Sequence, residues 1–147
     1  MSRKQPYQYW TNQELRDRLI LTVKRMNLDV NLKILFLELI EEACDSKEWN
    51  PVKDFNGCTM VQDFYHPSPF CFVHDYMGIT GRGGVVSDAL FYYLMREKGV
   101  SNFNAYTRWL GVRVGWYSFF LWKHIIKRTY KKPSDNMVNL YNYFKNK

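Results

Sequence analysis

The residues between positions 69 and 100 constrain the fold most, because they predict two helices joined by a glycine-rich turn. Pro69 suits the first turn of a helix, and apolar residues then recur at helical spacing. Four glycines between residues 78 and 84 interrupt this pattern, and a second helix follows until Gly99. Two helices with so short a connection are expected to lie side by side and antiparallel.

His74 and Asp88 lie at matching positions on the two helices of this hairpin. His74 comes four residues before the first glycine and Asp88 four residues after the last, so closing the hairpin brings them to one level. A carboxylate on one ring nitrogen of an imidazole leaves the other nitrogen as a base near neutral pH. The pair is therefore either a buried tie between two helices or a catalytic dyad. Asp75 points about 100° away around the helix and could face a cation.

The remaining segments predict a mainly α-helical fold, a compact bundle of about five to six helices around the antiparallel His-Asp hairpin. Thr11 opens one helix with a capping box, and Asn31 is the expected N-cap of the next. Ser87 is the expected N-cap of the second hairpin helix. Residues 44–68 lose helical periodicity and are predicted to form a long irregular loop, which could hold a small β element.

We expect one helical domain over residues 1–126 and a basic C-terminal arm over residues 127–147. The chain has a net charge of +7, and the segment from Lys123 onward holds seven basic residues against one acid. Such an arm could contact the phosphates of DNA or of lipid headgroups, or an acidic protein surface, or it could be a solvated, frayed end. Its candidate contact residues are Lys127, Arg128, Lys131 and Lys132.

Aromatic residues make up 18% of the chain, which is more than a core of this size needs and indicates assembly or binding. They are densest in residues 116–126, which predict a very apolar helix that is either buried on most sides or docked on a partner. We expect His124, within this segment, to be a core or interface histidine rather than a ligand. The candidate interface residues are Trp116, Phe119, Phe120 and Trp122.

The three cysteines are odd in number and lack CxxC spacing, so neither a disulfide framework nor a zinc site is expected. Unpaired cysteines are typical of a reducing compartment. The N-terminus shows no apolar segment of a signal peptide, and the longest apolar stretch, residues 114–122, is too short to span a bilayer. We therefore expect a soluble protein that has no transmembrane segment.

Four motifs, taken in order, resemble a family of small, uncharacterised proteins that is common in bacteriophage genomes. The family pattern has a Gly-Ala-Ser turn, then His-Asp-Tyr, then Ala-Asp-x-x-Phe, a Gly-Val end, and finally a Val/Ile-Arg-x-Gly segment. The similar residues here are 56–60, 74–76, 87–92 and 106–115. The resemblance implies a location in a virion or in the host cytoplasm, and partners among other virion proteins in an oligomeric assembly.

The His-Asp and Ala-Asp-x-x-Phe motifs also look like the two-helix core of phospholipase A2, particularly the disulfide-free versions carried in virus capsids. This resemblance implies that His74 activates a water molecule and that Asp88 orients His74. It also implies that Asp75 binds Ca²⁺ together with carbonyls of a preceding glycine-rich loop, for which Gly57 is the available residue. A calcium ion would polarise the ester carbonyl and stabilise the oxyanion.

Three functions are consistent with these features. The first is a virion-associated structural or interaction protein built on the His-Asp hairpin. The second is a calcium-dependent, phospholipase-like ester hydrolase that acts on membrane lipid during infection. The third is a DNA-contacting virion or packaging accessory protein, which depends on the basic arm alone.

Overall fold

The computed structural model describes residues 9–55 and 68–146, apart from the side chains of Phe119 and Phe120. These ranges are mainly helical and contain no strand, which confirms the predicted helical bundle. The predicted Gly57 site and the central part of the predicted loop, residues 56–67, lie outside the described residues. The elements are α1 (Asn12–Arg25), α2 (Val30–Asp45), α3 (Pro51–Asp54), α4 (Pro69–Ile79), α5 (Val85–Lys98), α6 (Asn102–Gly115), a π turn (Trp116–Phe120), α7 (Leu121–Lys127) and α8 (Asp135–Lys145).

The starts of α1 and α2 follow from side-chain caps. Thr11 Oγ1 accepts a hydrogen bond of 3.1 Å from the N–H of Glu14, as the capping box predicts. The prediction that Asn31 caps α2 is wrong, because the cap is Asp29. Its carboxylate accepts a hydrogen bond from the N–H of Asn31 at 3.1 Å. A charged acceptor also complements the positive end of the helix dipole, which favours Asp29.

The start of α5 also differs from the prediction, which placed Ser87 at the N-cap. The N-cap is Gly84, with φ +127°, a backbone conformation that glycine adopts readily. Ser87 consequently lies inside the first turn of α5, and its Oγ is buried without a hydrogen-bond partner in the part of the chain that the structure describes.

The core lies where α2 and α5 meet the helices around them. α2 packs on α1, α4 and α8, and α5 packs on α4, α6 and α8. The rings of Phe36 and Phe70 stack at a centroid distance of 5.6 Å between α2 and α4. The fully buried side chains of this core include Leu15, Leu19, Phe36, Leu39, Ile40, Phe72, Met77, Leu90 and Leu94.

The C-terminal helix α8 lies within the segment predicted as a basic arm, and it packs against α2 and α5. Met137 and Leu140 on α8 are completely buried in the core. The ring of Phe144 stacks on Tyr93 of α5 at a centroid distance of 5.0 Å. A terminal helix of eleven residues is marginal alone, and this packing supplies the apolar contacts that it needs.

The connection between α4 and α5 is held against the chain that follows α7. The N–H of Lys131 donates a hydrogen bond of 2.9 Å to the carbonyl of Gly81. Gly81 has φ +87°, and a Cβ there would lie 2.0 Å from the carbonyl oxygen of Thr129. The ring of Trp116 occupies the space beside Gly83 in the same way. This turn therefore requires glycine for both backbone conformation and close approach.

Residues 102–127 form one continuous helix, in which the π turn separates α6 from α7. Its inner side is anchored by Ala105, Trp116 and His124, which are all buried. Nowhere in the described ranges is a helix both long enough and apolar enough to cross a membrane.

No disulfide framework was expected, but Cys71 is disulfide-bonded. Cys44 carries a free thiol. Burial raises the pKa of the Cys44 thiol to about 12, so it stays protonated at neutral pH. A protonated thiol is a poor nucleophile, which makes Cys44 a packing residue.

Candidate functional site

His74 and Asp88 are in direct contact across the α4–α5 hairpin, as their spacing from the turn predicts. Nε2 of His74 lies 2.8 Å from Oδ1 of Asp88. The Asp88 side chain is 2% exposed and that of His74 is 20% exposed. The carboxylate is therefore enclosed by protein, while one edge of the imidazole reaches the surface.

Arg113 of α6 completes this site, and sequence reasoning did not include it. Its Nη1 lies 3.0 Å from Oδ2 of Asp88, and its side chain is 13% exposed. The guanidinium also lies over the ring of Tyr117, 4.6 Å from its centroid. The sequence signal for Arg113 is its spacing, four residues after Trp109 and three before Trp116. This spacing places it on the side of α6 that faces the bundle, where a buried charge needs a partner.

The chemistry of this site follows from the two oxygens of Asp88. One oxygen lies within hydrogen-bond distance of Nε2 of His74 and accepts its N–H in the tautomer that carries the proton there, and the other accepts a hydrogen bond from Arg113. The ring of Phe91 packs on the imidazole at a centroid distance of 4.9 Å. Nδ1 of His74 forms no hydrogen bond with any other described residue, so it can accept a proton from a bound molecule. The arrangement suits a base as well as a tie among three helices, and its role stays a prediction.

Only one of the two predicted calcium ligands, Asp75, lies in the described ranges. Asp75 is half-buried on α4, directly after His74, and Gly57 lies outside these ranges. Within the described residues, no group of three or more His, Cys, Asp or Glu side chains could hold a metal ion. Calcium binding by Asp75 and Gly57 therefore stays a prediction.

The four predicted anion-binding residues are all exposed: Lys127 ends α7, and Arg128, Lys131 and Lys132 lie on the chain between α7 and α8. Nζ of Lys131 lies 2.8 Å from Glu48, whose carboxylate is also bound by Arg82 at 2.7 Å. The hydrogen bond from Arg82, followed by the one from Lys131, lowers the pKa of Glu48 to about 2. This ion cluster fastens the C-terminal chain to the α4–α5 turn and to the segment after α2.

Glu48→Gln is expected to lower the free energy of unfolding at pH 7 by about 0.5–1 kcal/mol, since partly exposed ion pairs are weak. The pKa of the Glu48 carboxyl falls from 4.5 in the unfolded chain to about 2 in the folded protein. Its contribution is therefore complete above about pH 4.5 and disappears as the pH falls to about 2. Urea unfolding of both proteins at pH 7 and at about pH 2 measures this difference. An equal difference at both pH values would contradict the assignment.

The predicted interface residues fall into different environments. Trp116 is buried, and its ring stacks on His124 at a centroid distance of 6.0 Å. Trp122 is exposed, and the side chains of Phe119 and Phe120 lie outside the described part. His124 is a core residue, as predicted, because its two ring nitrogens contact Thr129 Oγ1 at 2.6 Å and the Gly78 carbonyl at 2.7 Å.

The outer side of the helix over residues 102–127 carries an exposed apolar surface that the sequence prediction largely missed. We call it the outer stripe. It consists of eight side chains that are 47 to 77% exposed: Phe103, Tyr106, Leu110, Val114, Tyr117, Trp122, Ile125 and Ile126.

The π turn keeps the outer stripe on one face. In an uninterrupted α-helix, Leu121 would lie directly above Phe103, because 18 residues make five turns. A π turn takes about one residue more than an α turn, so each later residue takes the angular position that the residue before it would have in an uninterrupted α-helix. Leu121 is accordingly only partly exposed, and Trp122 and Ile126 continue the stripe instead. The same shift brings Trp116 and His124 together on the inner side.

Comparison of the chain with protein-family models, with curated proteins and with solved structures gave no match.

Proposed function

We propose that this chain is a structural or interaction protein of a bacteriophage particle and that it docks on a neighbouring surface through the outer stripe. The observation that carries the proposal is the stripe itself, eight large apolar side chains exposed along one helix face. A contiguous exposed apolar surface marks an interaction site, whereas apolar residues that are exposed singly are normal on a protein surface. The phage location comes from the motif resemblance.

The rest of the molecule supports a docking role for this helix. Arg113 is paired with buried Asp88, Trp116 packs beside Gly83 of the α4–α5 turn, and His124 contacts the Gly78 carbonyl at the end of α4. The outer stripe is therefore presented on a fixed support. In this proposal the contact between His74 and Asp88 acts as a tie in that support.

The test of the proposal is whether the chain is present in phage particles. Particles from a phage that carries this gene would be purified on a density gradient and probed for the chain. The proposal predicts the chain in the particle fractions at a constant ratio to the major capsid protein. A chain that remains entirely in the soluble lysate contradicts the proposal.

A second candidate function is a phospholipase-like ester hydrolase, and one observation favours it. Asp88 holds Nε2 of His74, and Nδ1 is left without a hydrogen bond among the described residues, as a base requires. In this candidate, Asp75 and Gly57 would contribute to a calcium site.

His74→Gln separates the two candidates. If the chain is a hydrolase, the variant is expected to keep its fold and to lose lipid-ester turnover, because glutamine cannot accept the proton from water. The measurement is hydrolysis of phospholipid in millimolar calcium, with a chelator as the second control. No turnover by the unaltered chain would contradict the hydrolase candidate, and turnover that survives both the variant and the chelator would contradict the roles of His74 and calcium in it.

A further inference from the structure

The charges near the outer stripe have one sign. The chain holds 21 basic and 14 acidic residues, and seven of the basic ones lie between residues 102 and 134, where there is no acid. The rest of the chain therefore holds 14 residues of each sign. The whole excess charge of +7 lies on the helix with the stripe and on the chain that follows it.

Most of this charge is available to a ligand. Arg113 is paired with Asp88, and Lys131 is paired with Glu48. The exposed Lys123, Lys127, Arg128 and Lys132 form no ion pair with any described residue. Lys123 and Lys127 directly follow Trp122 and Ile126, so they flank the stripe at about 100° around the axis.

We infer that the outer stripe docks on the surface of a lipid bilayer that contains anionic lipids. This inference rests on the proposed function, because it names the surface that the stripe contacts. An amphipathic helix with aromatic and aliphatic residues on one face and flanking Lys and Arg residues lies in the plane of a membrane interface. The apolar side chains enter the headgroup region, and the long cationic side chains reach the lipid phosphates.

The charge distribution favours this partner over two others. A second copy docked through the same stripe would bring two clusters of unpaired cations together, and like charges repel. DNA would satisfy the cations and leave the eight apolar side chains in water, since phosphate contacts dominate its binding. An anionic bilayer satisfies both sets of side chains at once.

The dimensions also fit a helix that lies flat. The helix over residues 102–127 is about 39 Å long at 1.5 Å per residue. Its inner side stays packed on the bundle through Ala105, Trp116 and His124, so docking requires no opening of the core. The π turn aligns the aliphatic end of the stripe with its aromatic end, so that one plane can contact all of it.

The test is co-sedimentation of the purified chain with vesicles of phosphatidylcholine alone and of phosphatidylcholine with phosphatidylglycerol. The face variant carries Val114→Ser and Ile126→Ser. The matched control variant carries Val85→Ser and Ile34→Ser, the same substitutions at exposed positions that do not belong to the stripe. Thermal unfolding of each variant tests whether it is folded. Substitutions at exposed positions are expected to change the free energy of unfolding only slightly.

We expect binding to the anionic vesicles, with about a tenfold or greater loss in the face variant and none in the control variant. Lys123→Glu with Lys127→Glu is expected to weaken binding about tenfold or more, whereas Lys47→Glu with Lys53→Glu has little effect. Binding is also expected to fall as salt rises.

Four outcomes overturn the inference. Equal binding to both vesicle types would mean that anionic lipid is not required. Equal binding by the face and control variants would mean that the stripe does not contact the bilayer. Self-association that the face variant abolishes, without vesicle binding, assigns the stripe to a second copy. No vesicle binding, together with loss of the face variant from phage particles, assigns it to a virion protein and leaves the proposed function standing. Vesicle binding by a chain that is absent from particles instead refutes the proposed function alone.

Discussion

Asp88→Ala is expected to lower the free energy of unfolding by about 3–5 kcal/mol, the largest effect of any single substitution considered for this protein. Asp88 is 2% exposed and binds both His74 and Arg113. Its removal leaves the guanidinium of Arg113 without its partner in a nearly enclosed position, and a buried charge without a partner is costly. Urea unfolding monitored by circular dichroism at neutral pH measures the change.

Two controls separate this effect from the loss of any carboxylate. Asp17→Ala, at an exposed position on α1, is expected to change stability by no more than about 0.5 kcal/mol. The double variant Asp88→Ala with Arg113→Met is expected to be more stable than Asp88→Ala alone, because it no longer buries an unpaired charge. A double variant that is less stable than Asp88→Ala would contradict this explanation.

Gly81→Ala is expected to lower the free energy of unfolding by about 2–4 kcal/mol. The left-handed backbone conformation of Gly81 is strained for alanine, and the new Cβ would lie 2.0 Å from the Thr129 carbonyl oxygen. The chain at Thr129 must move away, which breaks the hydrogen bond between Lys131 and Gly81 and disturbs the contact between Thr129 and His124.

Gly99→Ala is the matched control, because Gly99 also has a left-handed conformation, with φ +103°, but a Cβ there meets nothing within 4 Å. It is expected to cost only the backbone strain, about 1–2 kcal/mol. The difference between the two variants measures how tightly the C-terminal chain is held on the α4–α5 turn. Equal losses of stability in thermal or urea unfolding would mean that this close contact contributes nothing.

The hairpin was predictable because its signals are local. The glycines between residues 78 and 84 fix the position of the turn, and the equal spacing of His74 and Asp88 from it predicts their contact. The capping box at Thr11 was predictable for the same reason. The caps Asp29 and Gly84 were not, since neighbouring candidates differ in free energy by too little for sequence alone to choose between them.

The rest of the candidate site depends on packing between distant segments. Arg113 reaches Asp88 only because α6 packs on α5, 25 residues further along the chain. The outer stripe depends on the π turn, because ordinary helical spacing would place Leu121 where Trp122 lies. Sequence reasoning therefore identified an apolar helix over residues 116–126 without finding which side chains it exposes.

If the proposed role in a phage particle holds, the protein works through the outer stripe, and infectivity measures this for a phage that carries the face variant, Val114→Ser with Ile126→Ser. Plaque formation is expected to fall strongly for this variant, although the chain folds with normal stability. Plaque formation is predicted to stay normal for the control variant, Val85→Ser with Ile34→Ser. Full infectivity of the face variant would mean that the protein does not work through the outer stripe.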